Sequence, residues 1–141
     1  MNPNLRESEP RIQRSTNAAT PLITPPSWEL HSGNYRVFFA KSSTQMQSAQ
    51  RLRFKVFNEE LGQGLKASYE TGRDEDSHDL YCHHLIVEHV DTAQAVGTYR
   101  MSTRELCAPL GFYSLSEFDL SQLPSWIMDE GVEIGRACVH E

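Results

Sequence analysis

Apolar and polar positions follow two different rhythms along this chain. Across residues 46–61 (MQSAQRLRFKVFNEEL) the apolar side chains recur at helical spacing. On a wheel of about 100° per residue, Met46, Ala49, Leu52, Val56, Phe57 and Leu61 share one face, and Gln47, Arg51, Lys55 and Asn58 share the other. Arg53 and Glu60 interrupt the apolar face. A guanidinium keeps its proton, and leaving it buried without a partner costs several kcal/mol, so carboxylates are expected to meet Arg53. The dense supply follows in the next loop as Asp74, Glu75, Asp76 and Asp79. The spacing therefore predicts a helix and a loop folded together around a polar cluster.

The second rhythm is that of strands. Tyr35–Lys41 (YRVFFAK) reads as the first, with Ser42–Thr44 supplying N-caps for the helix and Gly62 and Gly64 stopping it. Cys82–Val90 and Ala95–Thr103 read as an antiparallel pair joined around Asp91–Gln94. Ser114 and Glu117 have capping-box spacing, which predicts a short helix at 115–123 ended by Pro124. Gly131–Val139 (GVEIGRACV) is the last strand. Here Glu133 and Arg136, three apart, would face opposite sides of a regular strand; a bulge at Gly135 is expected to bring them together. An apolar strand at the chain's end makes an unblunted edge, so the domain is expected to be incomplete.

Residues 1–33 carry Pro3, Pro10, Pro21, Pro25 and Pro26 and no period, and are expected to be a disordered leader before a domain at 34–141. The fold class is then α/β (α+β): a mixed, mainly antiparallel sheet with one main helix. A net charge of −6 and the lack of a basic stripe argue against nucleic acid as a partner. Cys82, Cys107 and Cys138 form no CxxC pair, and the N-terminus has no apolar core, so reduced thiols in a cytoplasm are expected. No apolar run is long enough for a membrane span, which leaves peripheral association with a membrane surface open.

The candidate chemistry gathers on Arg53, Asp76, Asp79, Arg100, Glu133 and Arg136, with Gly97 near Arg100 allowing close approach. An ordinary structural ion-pair network would use the same residue types. The acids and histidines between Asp74 and His84 could suggest a metal, but no HExxH or CxxC frame is present, so none is expected. The cysteines are not expected to act as nucleophiles, and Ser114 lacks a nucleophile-elbow context.

LRFKVF, DEDSHD, HLIVEH, VGTYR, GFYSLSEFDL and EIGRACVH occur here in the order found in one branch of the GNAT acyltransferase superfamily. That branch holds the hemolysin-like proteins and the ornithine-lipid N-acyltransferases, and the resemblance covers residues 35–141. More distantly the chain resembles the autoinducer (acyl-homoserine-lactone) synthases, through Arg53 and Phe57, Asp76 and Asp79, Arg100, and Glu133 with Arg136. Those synthases carry a Trp six residues after the Phe; here Gln63 stands there, which disfavours that activity.

The resemblance implies the N-terminal half of a GNAT-like fold and an N-acyltransferase. The donor would be a (3-hydroxy)acyl thioester on the phosphopantetheine of acyl carrier protein, the acceptor the amine of ornithine or a similar small amino acid, with no covalently bound cofactor. It implies Glu133 as base or water-positioning acid, with Arg53, Asp76 and Asp79 as catalytic-site residues and Arg100, Arg136 and Phe57 binding the acceptor. In this family a Gly-rich loop and helix follow the strand that EIGRACVH resembles and bind the donor. They would lie beyond Glu141, so this chain is expected to lack the donor-binding half. The runner-up readings are an autoinducer-type synthase and a non-catalytic binding module. The expected location is the cytoplasm, with the inner face of the membrane as one place of action.

Overall fold

The structure, a computed structural model, describes residues 24–140. Five strands run in sequence order as an antiparallel meander: β1 (Glu29–Ser32), β2 (Tyr35–Phe39), β3 (His83–His89), β4 (Gln94–Thr103) and β5 (Val132–Val139). The expected leader is corrected at its end, because Glu29–Ser32 pairs with Tyr35–Phe38 as a hairpin; residues 1–23 lie outside the described residues.

The main helix begins at α1 (Ser43–Arg53), where the Ser42 hydroxyl accepts the Gln45 N–H at 3.2 Å. It continues as a π-helical stretch over Phe54–Glu60. The wider turn there moves every later side chain off the 100° wheel. Glu60, expected on the apolar face, is exposed and pairs with His140 at 2.7 Å, and Leu61 is exposed as well. Asn58, expected on the polar face, is instead buried and donates to the Leu65 carbonyl at 2.8 Å. A Cβ at Gly64 would lie 1.9 Å from the Asn58 Oδ1, so a larger residue there would displace the Asn58 side chain.

The helix packs over β4 on one face of the sheet. Its Ala49 meets Phe38 of β2 and Ile86 of β3, and Leu52 and Val56 meet Cys138 of β5. The long loop holds a short α2 (Ser68–Thr71) and a 3-10 turn (Ser77–Tyr81). Between β4 and β5 the expected helix at 115–123 is replaced by two shorter ones, α3 (Ser114–Glu117) and α4 (Ser125–Glu130). The capping box is not formed, because the Ser114 hydroxyl is drawn to Glu133, and Pro124 precedes a helix instead of ending one.

The register of β4 on β5 breaks where the sequence predicts the bulge. Thr98 faces Cys138, but Arg100 faces Gly135 and Ser102 faces Glu133. Continuing the Thr98 register would put Ile134 opposite Ser102 and send Glu133 to the other face of the sheet. The extra residue turns Glu133 onto the helix side, next to Arg100. The distorted residue is Arg136, at φ 50°, and not the neighbouring glycine.

A candidate acceptor site of buried ion pairs

The site has a buried layer and an open one. In the buried layer, Arg53 is 0% exposed. Its Nη2 donates to Asp79 Oδ2 at 2.7 Å and to the Asp74 carbonyl, while its Nε lies 3.2 Å from Asp74 Oδ1, off the direction of the N–H. Nη1 of Arg53 and Oδ2 of Asp74 have no hydrogen-bond partner among the described residues. The loop acids therefore meet the helical arginine, but not all of those expected to. Glu75 points outward and pairs with Arg73 at 3.2 Å.

Asp76 and Asp79 owe their positions to their spacing. Asp76 is the N-cap of the 3-10 turn, its carboxylate accepts the His78 N–H at 2.9 Å, and the Asp79 carboxylate reaches back to the Asp76 N–H at 3.4 Å. This reciprocal box turns both acids toward the sheet. There Arg100 grips Asp76 with both arms of its fork, at 2.7 and 3.0 Å, and also donates to Asp79 Oδ1 at 2.9 Å. Gln50, one helical turn before Arg53, donates to Asp79 Oδ2 at 2.8 Å, and His84 Nε2 donates to the Asp79 carbonyl at 2.9 Å.

Electrostatics follow from this packing. Burial alone would push the Asp79 carboxyl up, but the hydrogen bond and charge of Arg53 outweigh it and hold the group down at about 2. Asp76 is held below the ordinary carboxylate value against the same burial by Arg100, and Arg100 is held more firmly protonated by Asp76. Burial pushes His84 down, so it is neutral at pH 7 with its proton on Nε2.

The open layer is a cavity of about 330 Å³ above Arg100, lined by Phe57, Tyr113, Glu133 and Arg136 among others. Its arginines are not equivalent. Arg100 is spent on two aspartates, whereas Arg136 has among the described residues one contact with an acid, 3.6 Å from its Nε to Asp74 Oδ1, and lies over the Phe57 ring at 5.7 Å. Glu133 takes the N–H groups of Tyr113 and Ser114 at 2.8 and 2.7 Å and the Ser114 hydroxyl. Tyr113 in turn roofs Arg100, whose guanidinium carbon is 5.6 Å from the ring centre, and meets the His78 ring edge-on. Cys82 also lines the cavity, and burial pushes its thiol up to about 11, so it is no thiolate nucleophile.

Of the residues the sequence picks out, Glu133, Arg100, Arg136 and Phe57 thus wall the cavity, while Arg53, Asp76 and Asp79 lie beneath it as support. Sequence reasoning misses Gln50 and Tyr113, and weighs His84 only as a possible metal ligand. Gln50 has a recoverable signal, as a polar residue one turn from a buried charge. Tyr113 has none, because nothing local ties it to β4. No helix among the described residues is long and apolar enough to cross a membrane.

The acetyltransferase (GNAT) domain model matches residues 52–141. The chain is 40% identical over 121 residues to the L-ornithine N(alpha)-acyltransferase of Brucella abortus, and 36% identical over 115 residues to that of Agrobacterium fabrum. Each alignment covers 76% of this chain, but 41% and 39% of those proteins respectively, so the chain spans about two fifths of the length of the curated relatives it matches. No solved structure matches the chain.

Proposed function

The chain belongs to the GNAT acyltransferase family, and from that premise we propose that it forms the acceptor site of an N-acyltransferase acting on the α-amine of ornithine. The donor is a 3-hydroxyacyl thioester carried by acyl carrier protein, and the product is the lyso form of an ornithine lipid, made at the inner face of the membrane. The observation that supports this reading is the pairing of Glu133 with an under-committed Arg136 across one cavity. An amino acid offers the complementary pair: a carboxylate for the guanidinium and an ammonium for the glutamate. The bulge at Arg136 puts both on one face, and the buried ion pairs keep Arg100 and the loop in place beneath them.

The chemistry asked of the site is nucleophilic acyl transfer. Glu133 accepts a proton from the bound ammonium, and the freed nitrogen attacks the thioester carbonyl. A C–N bond forms, the electron pair on oxygen returns, the C–S bond breaks, and the thiolate takes up the second nitrogen proton. The outer edge of β5 has no strand beside it among the described residues, so its backbone N–H groups are open to a carbonyl oxygen as charge develops there. Neutral Cys82 takes no part as a nucleophile.

Titrating the chain calorimetrically with ornithine and with putrescine, which has both amines and no carboxylate, tests this reading. Ornithine should bind and putrescine should not, and Arg136→Ala should abolish the difference. Equal binding of the two by the unaltered chain overturns the assignment.

A further inference from the structure

Beside the cavity lies a second depression of about 300 Å³ between β5 and the α3–α4 segment, walled by Phe112, Phe118, Leu123, Ile127, Val132 and Ile134. Among the described residues, the only ionisable side chain in its wall is Glu133, which it shares with the cavity. The apolar side chains are open to solvent: Phe118 is 68% exposed, Ile134 60% and Val132 49%. A groove so lined favours an uncharged apolar occupant.

We propose that this groove holds the acyl chain that the enzyme transfers, with the reacting carbonyl at the Glu133 end. This rests on the acyltransferase reading above and adds where the chain lies. Continuity is the first argument, because Glu133 borders both the groove and the cavity. Lining is the second: apart from Ser114, Gly131 and Glu133 the wall is apolar, which suits an uncharged hydrocarbon chain. Segment 113–114, tied to Glu133 by its two N–H groups and the Ser114 hydroxyl, divides the two spaces and so sets where chain ends and amine begins.

The test uses N-acylornithines, the products of the proposed reaction, titrated into the chain with acetyl, hexanoyl, octanoyl and decanoyl groups. Affinity should rise about fourfold per added methylene between hexanoyl and decanoyl. In Phe118→Asp and Ile134→Glu, both altered at exposed positions that tolerate a charge, hexanoyl and decanoyl forms should bind alike, with thermal unfolding verifying that each variant is folded. Affinity that does not change with chain length in the unaltered chain, while N-acetylornithine binds, overturns the groove and leaves the acceptor site standing; it would mean that another part of the protein or a second copy covers this face. Failure of ornithine itself to bind overturns the acceptor reading, and the groove inference with it; failure of every N-acylornithine in a chain that binds ornithine overturns the groove alone.

Discussion

Arg53 and Asp79 are 26 residues apart in sequence, yet Nη2 of one lies 2.7 Å from Oδ2 of the other, with both side chains almost wholly buried. The pair closes the helix onto the loop and carries Arg100 with it through the shared aspartate. Removing one partner strands the other's charge in a dry site. Arg53→Ala should therefore destabilise the fold by about 3–5 kcal/mol, read from urea unfolding. A loss below about 1 kcal/mol would mean that the aspartates find other partners and that the cluster does not organise the fold.

The same pairing dictates a pH dependence. The Asp79 carboxyl is held down at about 2 from an ordinary 3.8, and a depressed carboxyl contributes stability above its unfolded value that is lost as pH falls through the folded one. Unfolding free energy should begin to fall below about pH 6.5, where unfolded His84 takes a proton that burial denies it in the fold, and fall further below about pH 5, with about 2 kcal/mol from Asp79 gone by pH 2. Asp76 shifts the same way and steepens the fall. Asp79→Asn should be less stable at neutral pH and lose less on acidification. An acid limb of equal depth in that variant would place the titration elsewhere.

Much of this site is legible in the sequence because burial of a charge is a local signal. Arg53 stands out as a cation in an apolar stripe, and the Asp76–Asp79 spacing that caps a turn also aims two acids at one side. Geometry set by tertiary contact is not legible. The π-helical stretch after Arg53 shows no break in composition, so Glu60 and Asn58 come out on the wrong faces. Glu75 and Asp74 are chemically alike in sequence, and the Asp74 N–H bond to the Gln50 carbonyl, at 3.0 Å, together with Arg53 on the Asp74 carbonyl, brings Asp74 and not Glu75 into the cluster. The helix at 115–123 fails because Ser114 has a stronger partner, Glu133, than its own helix end.

At the bulge the cost falls on an unusual residue. Arg136 holds φ 50°, a conformation that costs a side chain with a Cβ about 1–2 kcal/mol and glycine almost nothing. In an ordinary strand Gly is worse than Ala. Here the order should reverse, with Arg136→Gly more stable than Arg136→Ala by about 1 kcal/mol in thermal or urea unfolding, and with both failing to bind ornithine. The ordinary order would show that the bulge relaxes once the guanidinium is gone.

Glu133 is the last residue whose role can be separated by measurement, because it both faces the cavity and holds the 113–114 backbone. If the carboxylate fixes that segment, Glu133→Ala should speed hydrogen exchange at the Tyr113 and Ser114 amides by about ten- to a hundredfold, the loss of a charge-assisted bond, while amides of β3 stay protected. Glu133→Gln keeps one acceptor oxygen and turns a donor toward an N–H group, so its effect should fall between. A proton can join Glu133 only by competing with these donors, so binding an ammonium at the cavity should also loosen the segment. Ornithine added to the unaltered chain should then raise exchange at Tyr113 and Ser114. Slower exchange on ornithine binding would show instead that the segment closes over the ligand while still tied to the glutamate, and would move the proton acceptor to another group.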